Sequence, residues 1–311
     1  MTHLAGFGAA LPETVVTNAA LACEFQVPEE WILSVSGIRE RRRAGEDETP
    51  ATLAEAASRK ALAAAVLLPS QLGAIIVGSG SSPRQFPGIS ADLQRRLEAP
   101  GIPAFDIPLA SSGSLVALAL AVDLAPRYGP VLVAGAEVMS RIIDRPPRTK
   151  ESAILFGDGA GACIVSPGPG AIEVTDIRFA CDGALGDDLS LEPGAPLVMN
   201  GRTVILQASR KLPAAVRDLL GRAGLHPADV DLFVLHQANL VLLRQVAKTL
   251  AVDESRLFVN VDRYGNTSAA SLLIALSEAA EQGLVSAGKR VVLGAFGAGF
   301  SWGAALLTVR G

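Results

Sequence analysis

Four stretches of this chain carry residue types that could do chemistry. The first is Phe105-Asp-Ile-Pro-Leu-Ala-Ser-Ser-Gly-Ser114, which reads as a short strand, a small-residue turn and the start of a buried helix. A nucleophile at such a junction faces the positive end of the helix dipole. The free N–H groups of the first helical turn can hold a developing oxyanion. Ser111 and Ser112 are the candidates, although an N-cap serine has the same spacing, and on spacing alone the capping role is favoured. The second is Val234-Leu-His-Gln-Ala-Asn239, with His236 at the carboxyl end of a buried strand, where open α/β sheets place their clefts. A hydrogen-bonded structural histidine would occupy the same position. Of the other histidines, His3 is close to the terminus and His226 sits between Gly224 and Pro227 in a loop. The third is Tyr264-Gly-Asn-Thr-Ser268, where Asn266 is either a site residue or an Asx-turn residue. The fourth is Gly294-Ala-Phe-Gly-Ala-Gly-Phe-Ser-Trp-Gly303, with Phe156-Gly-Asp-Gly-Ala-Gly161 as a shorter relative. Their glycines permit close approach of backbone to a ligand. No Gly-Lys-Ser/Thr follows either, and neither opens a helix after a strand, so phosphate-loop and dinucleotide readings are set aside.

The elements that must position these residues come from an apolar, lightly charged chain. Of 311 residues, 50% are hydrophobic, only 5% aromatic and 19% charged, below the ~25% of an average soluble protein. The core must be built from Ala, Val, Leu and Ile. A net charge of −4 argues against a phosphate-backbone binder, so no nucleic acid partner is expected. The basic cluster Arg39 to Arg43 reads as a solvated charged turn. Cys23, Cys163 and Cys181 form no C-x-x-C and are an odd number, so neither a disulfide framework nor a zinc site is expected. Each reads as a small buried hydrophobe. No signal peptide is visible, and Pro69, Asp123 and Pro126 break the apolar runs below the ~18 residues a membrane helix needs. The expectation is a cytoplasmic enzyme with no membrane segment and no metal.

Apolar runs predict strands at Leu4–Ala10, Ala74–Gly78, Ala104–Ile107, Pro130–Ala134, Leu232–Leu235, Arg290–Ala295 and Ala304–Val309. Ala160–Val165 and Ala171–Phe179 read as strands paired with each other. Helices are predicted at Asn18–Phe25, Pro28–Ser34, Thr52–Leu68 with a Thr52 cap, Ser90–Leu97, Gly113–Leu124, Val204–Ala223, Leu240–Leu250 and Ser271–Gln282. The alternation indicates an α/β fold. Ser166-Pro-Gly-Pro-Gly170 is the best punctuation between two halves of similar rhythm.

Taken in order, these stretches resemble the β-ketoacyl-acyl-carrier-protein synthase III family of the thiolase superfamily. The likeness also runs through LPETVVTNAAL, EEWILSVSGIRERR, FPGISADLQ, ILFGDGAGA and MNGRTV, and so covers nearly the whole chain. It implies a thiolase-like fold, two similar halves (1–167 and 168–311) in a layered α-β-α-β-α sandwich. It places the family's Cys-His-Asn triad on Ser111, His236 and Asn266, and the oxyanion donors on the backbone of Ser111 and Ala298. Phe86 falls where family members shape the acyl pocket, often across a dimer. Trp31 matches an aromatic that stacks on the coenzyme A adenine, and Lys150 and Asn239 complete the expected cofactor contacts. The implied substrates are a coenzyme A thioester, bound only transiently, and an acyl carrier protein. A homodimer is implied too.

The departures from the family have consequences. Ser111 replaces a cysteine, and a hydroxyl is far less acidic than a thiol of pKa about 8.5. Serine needs a base, and His236 is the candidate the pattern offers. Val35 and Val241 stand where the family has arginines that meet coenzyme A and the carrier protein; Arg145, Arg148 and Arg244 are nearby substitutes. The implied activity is acyl transfer onto Ser111, then condensation with a malonyl thioester or transfer to another acceptor, in fatty-acid or polyketide-type biosynthesis. A non-catalytic partner subunit, an acyl-thioester hydrolase, and an ordinary synthase III with its cysteine replaced by serine are the alternatives. A serine esterase of the usual kind would carry G-x-S-x-G, where this chain has Leu109-Ala-Ser-Ser-Gly113.

Overall fold

The computed structural model describes residues 1–310. Strands that are apolar at every position must be covered on both faces. The chain has several, and among the described residues nine strands join in one sheet. They are β1 (Thr2–Ala10), β2 (Ala74–Gly78), β3 (Ala104–Ile107), β4 (Val131–Val138), β5 (Asp158–Pro167), β6 (Ile172–Cys181), β7 (Leu232–Leu235), β8 (Arg290–Gly297) and β9 (Ser301–Val309). Every residue of β2, β4 and β7 is buried. The order across the sheet is β7-β8-β9-β6-β1-β5-β4-β2-β3.

The same topology occurs twice. In the first half, β2 runs parallel to β3 and β4, and β5 runs antiparallel to β4 and β1. In the second, β7 runs parallel to β8, and β9 runs antiparallel to β8 and β6. A parallel bridge from Leu257 to Phe233 stands where β3 stands in the first half. The halves meet where β1 pairs with β6 through His3↔Glu173 and Leu4↔Ile172.

Five helices complete the layers: α1 (Pro50–Ala64), α2 (Gly113–Tyr128), α3 (Gly201–Arg222), α4 (Leu240–Leu250) and α5 (Ala270–Glu281). Adjacent residues of a strand point to opposite faces, so Ile75 joins α1 in an outer core while Ile76 joins the central one. Leu115 and Leu118 of α2 and Leu272 and Leu276 of α5 fill that central layer against strands from both halves of the sheet. Leu212 and Val216 of α3 and Leu243 and Val246 of α4 form the other outer layer. The result is the α-β-α-β-α sandwich of the thiolase-like fold. Small residues let α5 come close: a Cβ on Gly135 would lie 2.3 Å from the Ala269 carbonyl oxygen. That contact brings the start of α5 to the end of β4.

Several expectations need correction. β5 and β6 do not pair with each other, because β1 lies between them. The two strands are consecutive in the chain, but the ladder position between them is taken by the N-terminal strand. The cap of α1 is Thr49, whose hydroxyl accepts from the Thr52 N–H, while Thr52 reciprocates three residues into the box. Cys23 and Cys181 are exposed; Cys163 alone of the three is buried, and burial pushes its thiol up to about 12.

The Arg39–Arg43 cluster is not a solvated turn. Glu40–Arg43 pairs with Thr14–Thr17, and strand alternation turns Arg41 inward. Its guanidinium, in a residue only 3% exposed, donates to the Val16 carbonyl (3.2 Å), Asn18 Oδ1 (2.8 Å) and the Ile154 carbonyl (2.6 Å). Burial lowers its pKa to about 10. Arg41→Met should cost about 3 kcal/mol in urea unfolding, because three buried acceptors lose their donor. A loss under about 0.5 kcal/mol, the range of an ordinary surface substitution, would contradict this reading.

Candidate active site

The turn after β3 forces an unusual backbone. Ala110 adopts φ 45°, a left-handed conformation costly for a residue with a Cβ. It swings Ser111 into the gap between the central helices and the end of the sheet, where the residue is 9% exposed. Ser112 is the N-cap residue of α2, but its side chain makes no capping hydrogen bond. Ser112 Oγ instead shares a 2.5 Å hydrogen bond with Ser301 Oγ and donates to the Leu109 carbonyl at 3.1 Å. Ser111 Oγ donates to Ser268 Oγ at 3.5 Å. No hydrogen bond joins Ser111 to His236 among the described residues, so the general-base pairing expected from the sequence is absent here.

His236 leaves β7 with its N–H on the Gly294 carbonyl (2.7 Å). Its Nδ1 lies 2.5 Å from Ser271 Oγ, on the first turn of α5. Ser271 Oγ also accepts the Gln237 N–H (3.2 Å). Burial lowers the His236 pKa to about 3, so the ring is neutral at physiological pH. Gln237 fixes this corner by donating to the Leu235 and Phe258 carbonyls and accepting from the Asn260 and Val261 N–H groups.

Asn266 is an Asx-turn residue that also lines the cavity at Ser111. Its Oδ1 accepts the Ser268 N–H at 2.9 Å, the Asx-turn arrangement. Its N–H donates to the Leu155 carbonyl (2.8 Å) and its carbonyl accepts from the Gly157 N–H (3.0 Å), which ties the turn to the Phe156–Gly161 stretch. Its Nδ2 has no hydrogen-bond partner among the described residues. Ser111, His236, Asn266 and Ser268 line one cavity of about 80 Å³, otherwise walled by apolar side chains such as Met139, Phe156, Leu189 and Phe296. A larger space of about 580 Å³ adjoins it, sharing Ala110, Met139, Leu189 and Leu197, and lined further by Arg84, Asp106 and Arg145.

Ala298 borders that second space. Its carbonyl accepts from Ser301 Oγ at 2.6 Å. Among the described residues, neither the Ser111 N–H nor the Ala298 N–H donates a hydrogen bond. The two backbones are close, since a Cβ on Gly297 would lie 2.6 Å from the Ser112 nitrogen. Phe86 is 84% exposed and lines neither cavity, although Arg84 and Gln85 line the larger one.

The remaining expected contacts lie apart from the cavity. Lys150 Nζ stands 5.4 Å from the Trp31 ring centroid, so these two are together. Asn239 caps α4 by accepting from the Val241 and Leu242 N–H groups, and its Nδ2 donates to the Val35 carbonyl (3.0 Å). Its polar atoms are therefore engaged within the protein. The arginines considered as substitutes are engaged as well. Arg148 pairs with Asp144 and Glu24, Arg145 donates to the Ala195 carbonyl, and Arg244 pairs with Glu254. Val35 and Val241 are exposed. No group of three or more potential metal ligands occurs among the described residues.

Profiles described as 3-Oxoacyl-[acyl-carrier-protein (ACP)] synthase III and its C terminal match residues 105–183 and 220–309. A β-ketoacyl-[acyl-carrier-protein] synthase III from Chelativorans sp. (strain BNC1) is 39% identical over 317 residues, spanning 97% of each chain. The chain belongs to the 3-oxoacyl-[acyl-carrier-protein] synthase III family. Synthase III proteins are acyltransferases, and the chain is an enzyme of that class. The crystal structure of the synthase III from Aquifex aeolicus VF5 superposes with a TM-score of 0.94 at 36% identity, covering 99% of this chain and 100% of that one. The priming β-ketosynthase of the R1128 polyketide pathway superposes at 0.91 with 32% identity, covering 100% and 97%. No described helix is long and apolar enough to cross a membrane.

Sequence reasoning missed Ser268 and Ser271, which hydrogen-bond to Ser111 and His236. Ser268 and Ser271 lay in view in Asn266-Thr-Ser-Ala-Ala-Ser271, but a serine hydroxyl near a helix start is too common a feature to stand out.

Proposed function

We propose that this chain is a synthase III-type condensing enzyme that carries its acyl group on Ser111. The observation that carries the reading is the convergence of Ser111, His236 and Asn266 on one apolar cavity at the start of α2. Ser111 Oγ attacks the carbonyl carbon of an acyl-coenzyme A, the C–S bond breaks, and coenzyme A leaves. The carbonyl oxygen is held by the N–H groups of Ser111 and Ala298 as charge builds on it. A malonyl thioester on acyl carrier protein then loses CO2. His236 Nε2–H and Asn266 Nδ2–H donate to the enolate oxygen this creates. The enolate carbon attacks the acyl ester, and a β-ketoacyl thioester departs as Ser111 regains its proton.

A neutral His236 suits this work, because a donor to an enolate need not be charged. Trp31 and Lys150 would receive the nucleotide end of coenzyme A, with Lys150 acting as a point charge toward phosphate. β3 forms the free edge of the sheet, and a second copy docked there would bring its Phe86 toward the larger space, completing a homodimer's acyl pocket. No tightly held cofactor or metal enters the scheme.

The test is intact-protein mass spectrometry after incubation with acyl-coenzyme A thioesters of increasing chain length. The parent should gain one acyl mass and Ser111→Ala none. An unmodified parent with every coenzyme A and carrier-bound donor would favour a non-catalytic partner subunit. An adduct that decays in water without regard to a malonyl thioester would favour hydrolysis.

A further inference from the structure

The larger space beside Ser111 differs in character from the cavity that holds the serine. Among the described residues no Asp, Glu, Lys or Arg lines that cavity, whereas Arg84, Asp106, Arg145 and Glu192 all line the larger space. At about 580 Å³ it falls in the roughly 300–1,000 Å³ range of small-molecule pockets. Ala110, Met139, Leu189 and Leu197 belong to both walls, so a chain attached to Ser111 enters the second space past Met139.

The charges there are not matched. Asp106 is already engaged. Its Oδ1 accepts from the Ser90 N–H (3.1 Å) and its Oδ2 from the Ser90 hydroxyl (2.6 Å), at the start of the helix Ile89–Arg96, whose dipole favours an anion. Arg145 is half-buried. Its Nη1 donates to the carbonyl of Ala195 (3.2 Å), in the hairpin that pairs Leu189–Ser190 with Val198–Met199. Its Nε and Nη2 have no partner among the described residues. Asp144, its neighbour in sequence, is taken by Arg43 and Arg148. Arg84 and Glu192 are exposed and form no ion pair among the described residues, which leaves two guanidinium groups facing one free carboxylate. A plain alkyl tail entering this space would strip water from Arg145 and return no hydrogen bond. A hydroxyl or keto end would satisfy a single N–H. A carboxylate matches both the planar fork and its charge.

We propose that the acyl group loaded onto Ser111 carries a second carboxylate at its far end, held by Arg145, so that the donor is the coenzyme A half-thioester of a short dicarboxylic acid. This rests on the reading of Ser111 as the acyl carrier. The acylation is the same exchange as for any acyl donor. The bond from Ser111 Oγ to the acyl carbon forms, the C–S bond breaks, and the serine proton leaves with coenzyme A as its thiol. Arg145 selects the donor by its distal end and takes no part in that exchange.

The test sets equimolar donors of equal chain length in competition: succinyl- against butyryl-, glutaryl- against valeryl- and adipyl- against hexanoyl-coenzyme A. Intact-protein mass spectrometry at early times reads the ratio of the two adducts on the full chain. In at least one pair the diacid adduct should exceed its monoacid rival by about 10- to 100-fold, the range of hydrogen bonds to a charged group. Arg145→Met should bring that ratio to about 1 or below. Arg145→Lys, which keeps the charge and loses the fork, should leave it between those values. If Arg145 only steadies the hairpin through Ala195, both adducts slow together and the ratio stays at its parental value, which overturns the inference. A parent that loads the monoacid as readily as the diacid in every pair overturns it too. Should Arg145→Met fail to fold, Arg145→Lys decides, and a ratio unchanged from the parent counts against the inference. A parent that forms no adduct with any donor sinks the acyl-carrier reading and this inference together, whereas adducts from the monoacids alone sink only the inference.

Discussion

Ser111→Cys should accelerate acylation by acyl-coenzyme A about 100-fold or more, and should raise carbon–carbon bond formation with malonyl-carrier protein at least as much. Two effects add. A thiol has a pKa of about 8.5, so an appreciable fraction is thiolate near neutral pH, and the N-terminus of α2 favours that fraction further. The ester formed on serine is also a poorer acyl donor than the thioester formed on cysteine, so the second half-reaction gains as well. The site can accept the larger atom. Ser111 borders a cavity of about 80 Å³, and its backbone is already set by the left-handed Ala110. Rapid-quench mass spectrometry reads the first rate and release of CO2 from a malonyl thioester reads the second. A cysteine protein that acylates quickly yet condenses no faster would show that this site has turned to a different acceptor. One that fails to acylate would remove Ser111 from the carrier role.

Much of this was legible in the chain, for reasons particular to each element. Ala74–Gly78, Ala104–Ile107, Leu232–Leu235 and Leu240–Leu250 were read to the residue, because apolar runs end there at Gly, Pro, His or Asn. β5 and β9 begin earlier than their apolar runs, at Asp158 and Ser301, because polar residues at the site end of the sheet continue the ladder. α2 extends to Tyr128 because Pro126 lies in its last turn, where little of the helix remains to be interrupted. Pairing was harder, since nothing in residues 158–181 reveals that the N-terminal strand inserts between them. Arg41 was misread because five residues of charge look solvated until strand alternation turns one inward. At the site, Ser111, His236 and Asn266 sit in distinctive wording. Their support does not. Glu137, a buried carboxyl that accepts from the Gly80 and Ala269 N–H groups, reads as one acidic residue in an apolar run, and the loops that supply these donors are 57 residues before it and 132 after it. Only the folded chain brings them to one carboxyl.

His236→Ala should separate the two half-reactions. Condensation should fall by about 100- to 1,000-fold, the usual cost of removing one donor to a developing oxyanion, while the acyl adduct on Ser111 still forms within about 10-fold of the parental rate. The geometry dictates the split, because Ser111 is hydrogen-bonded to Ser268 and not to His236. If adduct formation fell as far as condensation, His236 would be the base for Ser111 after all. The pH dependence adds an independent check. With a folded pKa of about 3 against an ordinary 6.5, His236 binds its proton more readily in the unfolded chain across that window. Its contribution to stability is therefore fully present above about pH 6.5 and declines as the pH falls toward 3. His236→Gln keeps a polar side chain there without a titrating ring, so its urea midpoint should fall less steeply than the parent's between pH 6.5 and 4. An unchanged slope would mean that the ring is not held neutral by burial.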